Sequence, residues 1–190
     1  MSSVGSQLMT AEEFFDWVHR PENRDRRFEL DEGEVVEMSR PGERHGTVCA
    51  NVAWILGSYI RQVKKGNVVA NDTGIILQRD PDSVKGPDVA LYVSSKKYDE
   101  LAIKYSDQIP LLVVEVLSPT DRFGSMMKRI NQFLANGVTL VWMLDPDVQT
   151  VTVFRDKQFS VVLEADEELS APDVLPGFRC VVEECFAVQG

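Results

Sequence analysis

The chain has 190 residues, 44% of them hydrophobic, with a formal net charge of −10 and a pI of about 4.7. That length suits a single domain over residues 1–190 with a substantial core, and the acidic balance weighs against a broad basic surface that grips nucleic acid through many phosphates. No apolar run approaches the roughly 18 residues of a membrane helix, the start of the chain lacks the basic-then-apolar pattern of a secretory signal, and three cysteines without a C-x-x-C pair point to a reducing cytoplasm rather than a disulfide scaffold or zinc cluster.

Residues 1–8 are rich in Ser and Gly and are expected to be disordered. Thr10 followed by Glu13 is a capping box, and the short helix it starts must end before Pro21. Residues 28–38, F-E-L-D-E-G-E-V-V-E-M, predict a β-hairpin turning at Asp31-Glu32-Gly33. Val48, Val52, Ile55, Leu56, Tyr59 and Val63 recur at helical spacing, which predicts a helix over 46–65 closed by Lys64-Lys65-Gly66. Strands are expected at 68–77, 88–93 and 111–117. The last, L-L-V-V-E-V-L, is apolar almost throughout, as in a central strand covered on both faces. Residues 94–110 read as loop with a helical turn. A second helix over 123–136, with Asp121 as N-cap, places Met126, Ile130 and Phe133 on one face. A strand at 138–144, a hairpin at 148–155 and 159–163, and a short segment near 181–186 complete the chain. Trp142 and Phe154 read as core, and the basic stretches 24–27 and 61–65 as solvated faces.

Two acids stand in apolar strands. Asp88 opens G-P-D-V-A-L-Y and Glu115 lies late in L-V-V-E-V-L-S. If those strands pair antiparallel, the start of one lies beside the end of the other, and both carboxylates meet at one end of the sheet. Two carboxylates with a backbone carbonyl, that of Val116 for instance, suit a hard cation such as Mg²⁺. For Asp88 alone, a solvated strand end is an equal reading. Glu115 is harder to explain without a partner or metal, because a charge inside such a strand is rarely buried alone.

The order of motifs extends further: F-E-L-D-E-G-E-V-V at 28–36, His45 at the long helix, G-P-D-V-A at 86–90, V-V-E-V-L-S-P at 113–119, F-L-A-N-G-V-T-L-V-W-M-L-D-P at 133–146, V-T-V-F at 151–154 and L-P-G-F at 175–178. This set resembles the Uma2 group (DUF820-type) of the restriction-endonuclease-like PD-(D/E)-x-K superfamily over nearly the whole chain. The resemblance implies an α/β fold: a mixed central sheet flanked by helices in the order α-β-β-β-α-β, with an N-terminal hairpin and extra C-terminal strands. It implies that Asp88 and Glu115 ligate metal and that Glu29 joins them as a third acid. The residues alone allow Glu29 to face solvent between inward-facing Phe28 and Leu30. The simple pattern places a lysine two residues after Glu115, where Leu117 stands. In similar proteins that lysine moves to the next helix, four residues before an aromatic. Taking Phe133 as the aromatic puts Arg129 in the slot and Lys128 beside it. Arg129 lies at the edge of the apolar face and reaches inward, whereas Lys128 projects nearly opposite, toward water. An arginine holds phosphate through forked hydrogen bonds but stays protonated, so it is a poor proton acceptor. His45 reads either as a phosphate or second-shell metal contact or as an ordinary helix-start histidine.

The implied function is a metal-dependent endonuclease that hydrolyses DNA with Mg²⁺ or Mn²⁺, using Glu29, Asp88, Glu115, Arg129 and Lys128. The arginine in the lysine slot and the acidic balance motivate an alternative, a non-catalytic interaction or nucleic-acid-binding module. A metal-dependent hydrolase of another substrate fits the same pocket. A homodimer is expected, since a two-fold assembly suits cleavage of both duplex strands. No base-reading helix is evident.

Overall fold

The computed structural model describes residues 8–155 and 159–188, so most of the expected disorder at 1–8 lies outside the described residues. Helix α1 (Ala11–Val18) begins at the capping box: the Thr10 hydroxyl accepts from the Glu13 N–H, and the Glu13 carboxylate accepts from the Thr10 N–H. Strands β1 (Arg27–Asp31) and β2 (Glu34–Met38) form the expected hairpin. Its loop is Glu32-Gly33, with φ of 52° and 82°, the double positive φ that the strand twist favours in a two-residue hairpin. Helix α2 (Glu43–Val63) starts earlier than its apolar pattern shows, because its first residues are polar and exposed; it ends at left-handed Lys64.

The expected strand at 68–77 is two strands in different sheets, β3 (Asn67–Ala70) and β4 (Ile75–Gln78). Asn71 and Asp72 adopt φ of 67° and 53° between them, a conformation that Asn and Asp tolerate better than most residues and that ends the extended run. Strand β5 (Ser83–Lys85) follows, too short to leave a periodic signal. Next come β6 (Val89–Tyr92), β7 (Leu112–Val116), helix α3 (Phe123–Ala135), β8 (Leu140–Asp145), β9 (Thr150–Phe154) and β10 (Ser160–Leu163). The small strands β11 (Glu168–Ser170) and β12 (Arg179–Val181) pair with each other. Arg122, not Asp121, is the N-cap of α3, and its side chain makes no capping hydrogen bond. The Asp121 carboxylate instead accepts from the Ser118 N–H at 2.8 Å, a local turn that competes with capping.

Six strands form the central sheet in the order β10-β9-β8-β7-β6-β3. Strands β7 and β8 run parallel, and the other neighbours are antiparallel. The path α2-β3-β6-β7-α3-β8 is the expected α-β-β-β-α-β core, with β4 and β5 inserted. These two strands leave the main sheet and extend the N-terminal hairpin into a second sheet, ordered β2-β1-β5-β4.

Side-chain alternation sorts the central sheet into two faces. Leu112, Val114 and Val116 of β7 pack with Val48, Val52 and Leu56 of α2. Val113 packs on the other side with Met126, Ile130 and Phe133 of α3. Trp142 and Phe154 are buried in these two clusters, as expected. Each such fully buried side chain contributes roughly 1.5–3 kcal/mol relative to exposure. The same alternation turns Glu115 toward α3. In the second sheet, Leu30 and Val84 pack on Ala11 and Phe14 of α1, so Glu29, Asp31 and Lys85 face the opposite way.

Candidate active site

The two sheets meet where β5 turns into β6 through Gly86-Pro87. Strand β6 pairs antiparallel with β7, Val89 opposite Val114, so Asp88 sits beside Glu115 as the sequence suggested. One Asp88 oxygen accepts from the Val116 N–H at 2.8 Å, and the other lies 3.4 Å from Nε2 of His45. Glu115 is 4% exposed. Its Oε2 is 2.9 Å from Nε of Arg129, and its Oε1 is buried with no hydrogen-bond partner among the described residues.

Glu29 is buried, which overturns the reading that it faces solvent. Its Oε1 accepts from the Gly86 N–H at 2.8 Å and its Oε2 from Nη1 of Arg129 at 2.6 Å. Arg129 also donates to the Gly86 carbonyl at 2.9 Å and lies over the Phe133 ring, 5.4 Å from its centre. Arg129 therefore reaches inward and ties β1, β5–β6 and β7 together from α3. Lys128 is largely exposed, as expected of a residue on the outer face, yet its Nζ lies 2.8 Å from Asp31. His45 sits in the first turn of α2 with its ring against Asp88, so it belongs to the site rather than being an isolated helix-start residue.

Three members of this cluster escaped sequence reasoning. Asp31 follows Glu29 by two residues on the same strand face. It accepts from Lys85 at 2.9 Å, from Lys128 at 2.8 Å and from Gln132 at 2.7 Å. Lys85 is 5% exposed and its Nζ is also 3.6 Å from Glu29. The period of two on β1 was an available signal for Asp31. For Lys85 and Gln132 none existed, because pairing of β5 with β1 and the docking of α3 bring them there. Together these residues line a cleft of about 370 Å³.

A family model described as "Uma2: Putative restriction endonuclease" matches residues 11–183. The chain belongs to the Uma2 family. A solved structure from Anabaena variabilis ATCC 29413, described as "a putative nuclease belonging to DUF820", is similar with a TM-score of 0.77 and 21% identity, over 94% of this chain and 97% of that one. At that identity the likeness establishes the fold. No curated protein matches the sequence.

The electrostatics of this Uma2 site are uneven. Burial raises the pKa of Glu29, but Arg129 above all, with Lys85 and the Gly86 N–H, overrides it and holds the carboxyl below its ordinary value. Burial likewise opposes ionisation of Asp31, and hydrogen bonds from Lys128, Lys85 and Gln132 depress it well below the carboxylate range. Glu115 behaves oppositely. Its burial outweighs Arg129, the charges on Asp88 and Glu29 add to the effect, and its pKa is pushed up to about 8. Burial disfavours the charged form of His45, yet the Asp88 carboxylate prevails and raises its pKa. Arg129 is raised despite burial, by Glu115 and Glu29. Among the described residues, the positive charge beside Glu115 and Asp88 comes from Arg129 and His45, and it leaves Oε1 of Glu115 unmatched.

Among the described residues, no helix is long and apolar enough to cross a membrane.

Proposed function

We propose that this Uma2 protein is a metal-dependent endonuclease acting on DNA phosphodiester bonds, with Asp88 and Glu115 holding Mg²⁺ or Mn²⁺. The observation that carries this reading is the orphaned Oε1 of Glu115, buried beside a second carboxylate. A buried acceptor without a partner costs about 1–3 kcal/mol, and a hard cation relieves that cost with the oxygen ligands it prefers. Burial and like charge disfavour the charged form of Glu115, and a cation reverses both effects. The donor set therefore fits the ion. When bound, such an ion polarises a phosphoryl oxygen and acidifies a water.

The chain's own residues do the rest. The Val116 N–H and His45 hold Asp88 in place. Arg129 fixes the angle of Glu115 and, with its nitrogens engaged by Glu115, Glu29 and the Gly86 carbonyl, favours by its charge the negative charge that a phosphate gains in the transition state. Lys85 and Lys128 brace Asp31 at the rim, and Glu29 keeps Arg129 from swinging out. Glu29 stands in ion pairs, so its part is to orient Arg129 rather than to supply a metal ligand of its own. We include a two-fold dimer in the proposal, since the edge strand β10 exposes Val161 and Val162; a monomer mass by light scattering at micromolar concentration removes that part. A cytoplasmic setting accords with three free thiols.

Calorimetric titration of Mg²⁺ and Mn²⁺ tests the metal site. Binding to the wild type and its loss in the Asp88→Asn, Glu115→Gln double variant is the expected result. Metal-dependent nicking of duplex DNA that is lost in Glu115→Ala tests the activity, and cleavage that survives that substitution overturns it. One observation favours a second reading, a non-catalytic nucleic-acid-binding module: Arg129 is engaged by two carboxylates and a carbonyl and is a poor proton acceptor. DNA binding without cleavage at any metal concentration selects that reading.

A further inference from the structure

His45 and Asp88 form a wall between two cavities. Glu115 lines the first, described above, and Cys49 does not. Cys49 lines the second, of about 480 Å³, together with Arg27, Arg40 and Asp72, and Glu115 does not. Cys49 lies one helical turn after His45 on α2, so the two side chains stack on one face. Sγ of Cys49 is 3.4 Å from Nδ1 of His45. That separation matches the edge of a tetrahedron around one ion, roughly 3.5 Å for metal–sulfur and metal–nitrogen bonds of about 2.3 and 2.0 Å; Asp88 lies as close to the other ring nitrogen, 3.4 Å from Nε2, so a turn of the His45 ring lets one ion meet all three. Ligand atoms of Cys49, His45 and Asp88 all lie within 4.8 Å of one another. Arg27, which lines this cavity, is engaged by Asp72. A thiolate, an imidazole and a carboxylate are the donor set of a borderline-soft ion, not of Mg²⁺.

We propose that Cys49, His45 and Asp88 form a second cation site, selective for thiophilic divalent ions of the Zn²⁺ and Co²⁺ class, and that it competes with the Mg²⁺ site by sharing Asp88. Water completes the coordination. The thiol, raised to about 12 by burial and by the Asp88 and Glu115 charges, gives up its proton to solvent as the metal–sulfur bond forms. A carboxylate drawn toward Cys49 is less available to Glu115, so the soft ion acts as an inhibitor of the hard-cation site. The competition, though not the second site itself, rests on the function proposed above.

Cobalt reports the site directly, because a sulfur-to-cobalt charge-transfer band appears only when a thiolate is a ligand. Titration of Co²⁺ into the full chain is expected to give this band, to lose it in Cys49→Ser, and to retain it in the Cys180→Ser, Cys185→Ser variant. His45→Gln is expected to weaken Co²⁺ binding about tenfold or more without unfolding the chain, as judged by circular dichroism, so the test survives if Cys49→Ser fails to fold. Absence of the band in the wild type, or its survival in folded Cys49→Ser, overturns the site. Saturating Zn²⁺ is expected to weaken Mn²⁺ binding about tenfold more in the wild type than in Cys49→Ser, where only direct competition at the carboxylates remains. A cobalt band with unchanged Mn²⁺ affinity overturns the competition alone. Mn²⁺ binding without a cobalt band leaves the proposed nuclease site standing and removes the second site.

Discussion

The two halves of the cleft contain the same kind of residue and treat it differently. In one half, Glu29 and Asp31 are matched by Arg129, Lys85, Lys128, Gln132 and a backbone N–H. In the other, Asp88 has a backbone N–H and a histidine, and one oxygen of Glu115 has no partner among the described residues. Burial penalises a charge in both halves; only the supply of compensating groups differs. The matched half reads as a brace that holds α3 and β1 in place. The unmatched half is where an added cation does the most, and it is also where the pKa of a carboxylate rises rather than falls.

The comparison is broken most severely by removing the one group that serves both halves. Arg129→Ala leaves Glu29 and Glu115 buried without their cation, and its expected cost is about 3–5 kcal/mol of unfolding free energy by urea titration. A loss under about 1 kcal/mol shows that the guanidinium is not the brace described here. Lys85→Met tests the matched half alone. Asp31 retains Lys128 and Gln132, and Glu29 retains Arg129, so a smaller loss of about 1–3 kcal/mol is expected in the same assay.

Glu115 sharpens the comparison through pH. Its folded pKa, about 8, lies above its ordinary 4.5, so the folded chain keeps a proton that the unfolded chain releases. That contribution to stability is fully present below about pH 4.5 and is lost as pH rises toward 8, a change on the order of a few kcal/mol. His45, also raised, adds a decline of the same sign as pH rises through its folded pKa. In metal-free protein, the thermal midpoint should therefore fall between pH 5 and 8 (roughly, from linkage), and Glu115→Gln should remove most of that slope. Glu29 and Asp31, both lowered, lose stability only at acid pH and do not mask the effect. An unchanged slope in Glu115→Gln shows that its carboxyl is not protonated on folding. The smallest effect is expected from Lys128→Ala. Its side chain is 60% exposed, and such a pair contributes at most about 1 kcal/mol; a larger loss by denaturant titration makes Lys128 part of the brace.

Asp88, Glu115 and the strands that carry them were legible because a charge in an apolar run is conspicuous; their meeting was conditional on antiparallel pairing, which the fold supplies. Arg129 was placed by its offset from Phe133 and does reach inward. The break at Asn71-Asp72, the diversion of β4 and β5 into a second sheet, and the uncapped start of α3 were not legible. Each depends on a local turn whose alternative conformations differ little in energy until the rest of the fold selects one. Lys85 is the clearest case. In S-V-K it looks like an ordinary strand-end lysine, and only pairing with β1 buries it against Asp31.

Sequence by itself determined the strands of the core, the two helices that cover them and the two acids set in apolar runs, because apolar periodicity and strand alternation are properties of neighbouring residues; the mixed sheet was implied by the family resemblance. Tertiary structure decided which charges neutralise which. That choice depends on distances between residues up to about a hundred positions apart, such as Glu29 and Arg129, and Coulomb attraction in a buried site follows those distances rather than the order of the chain.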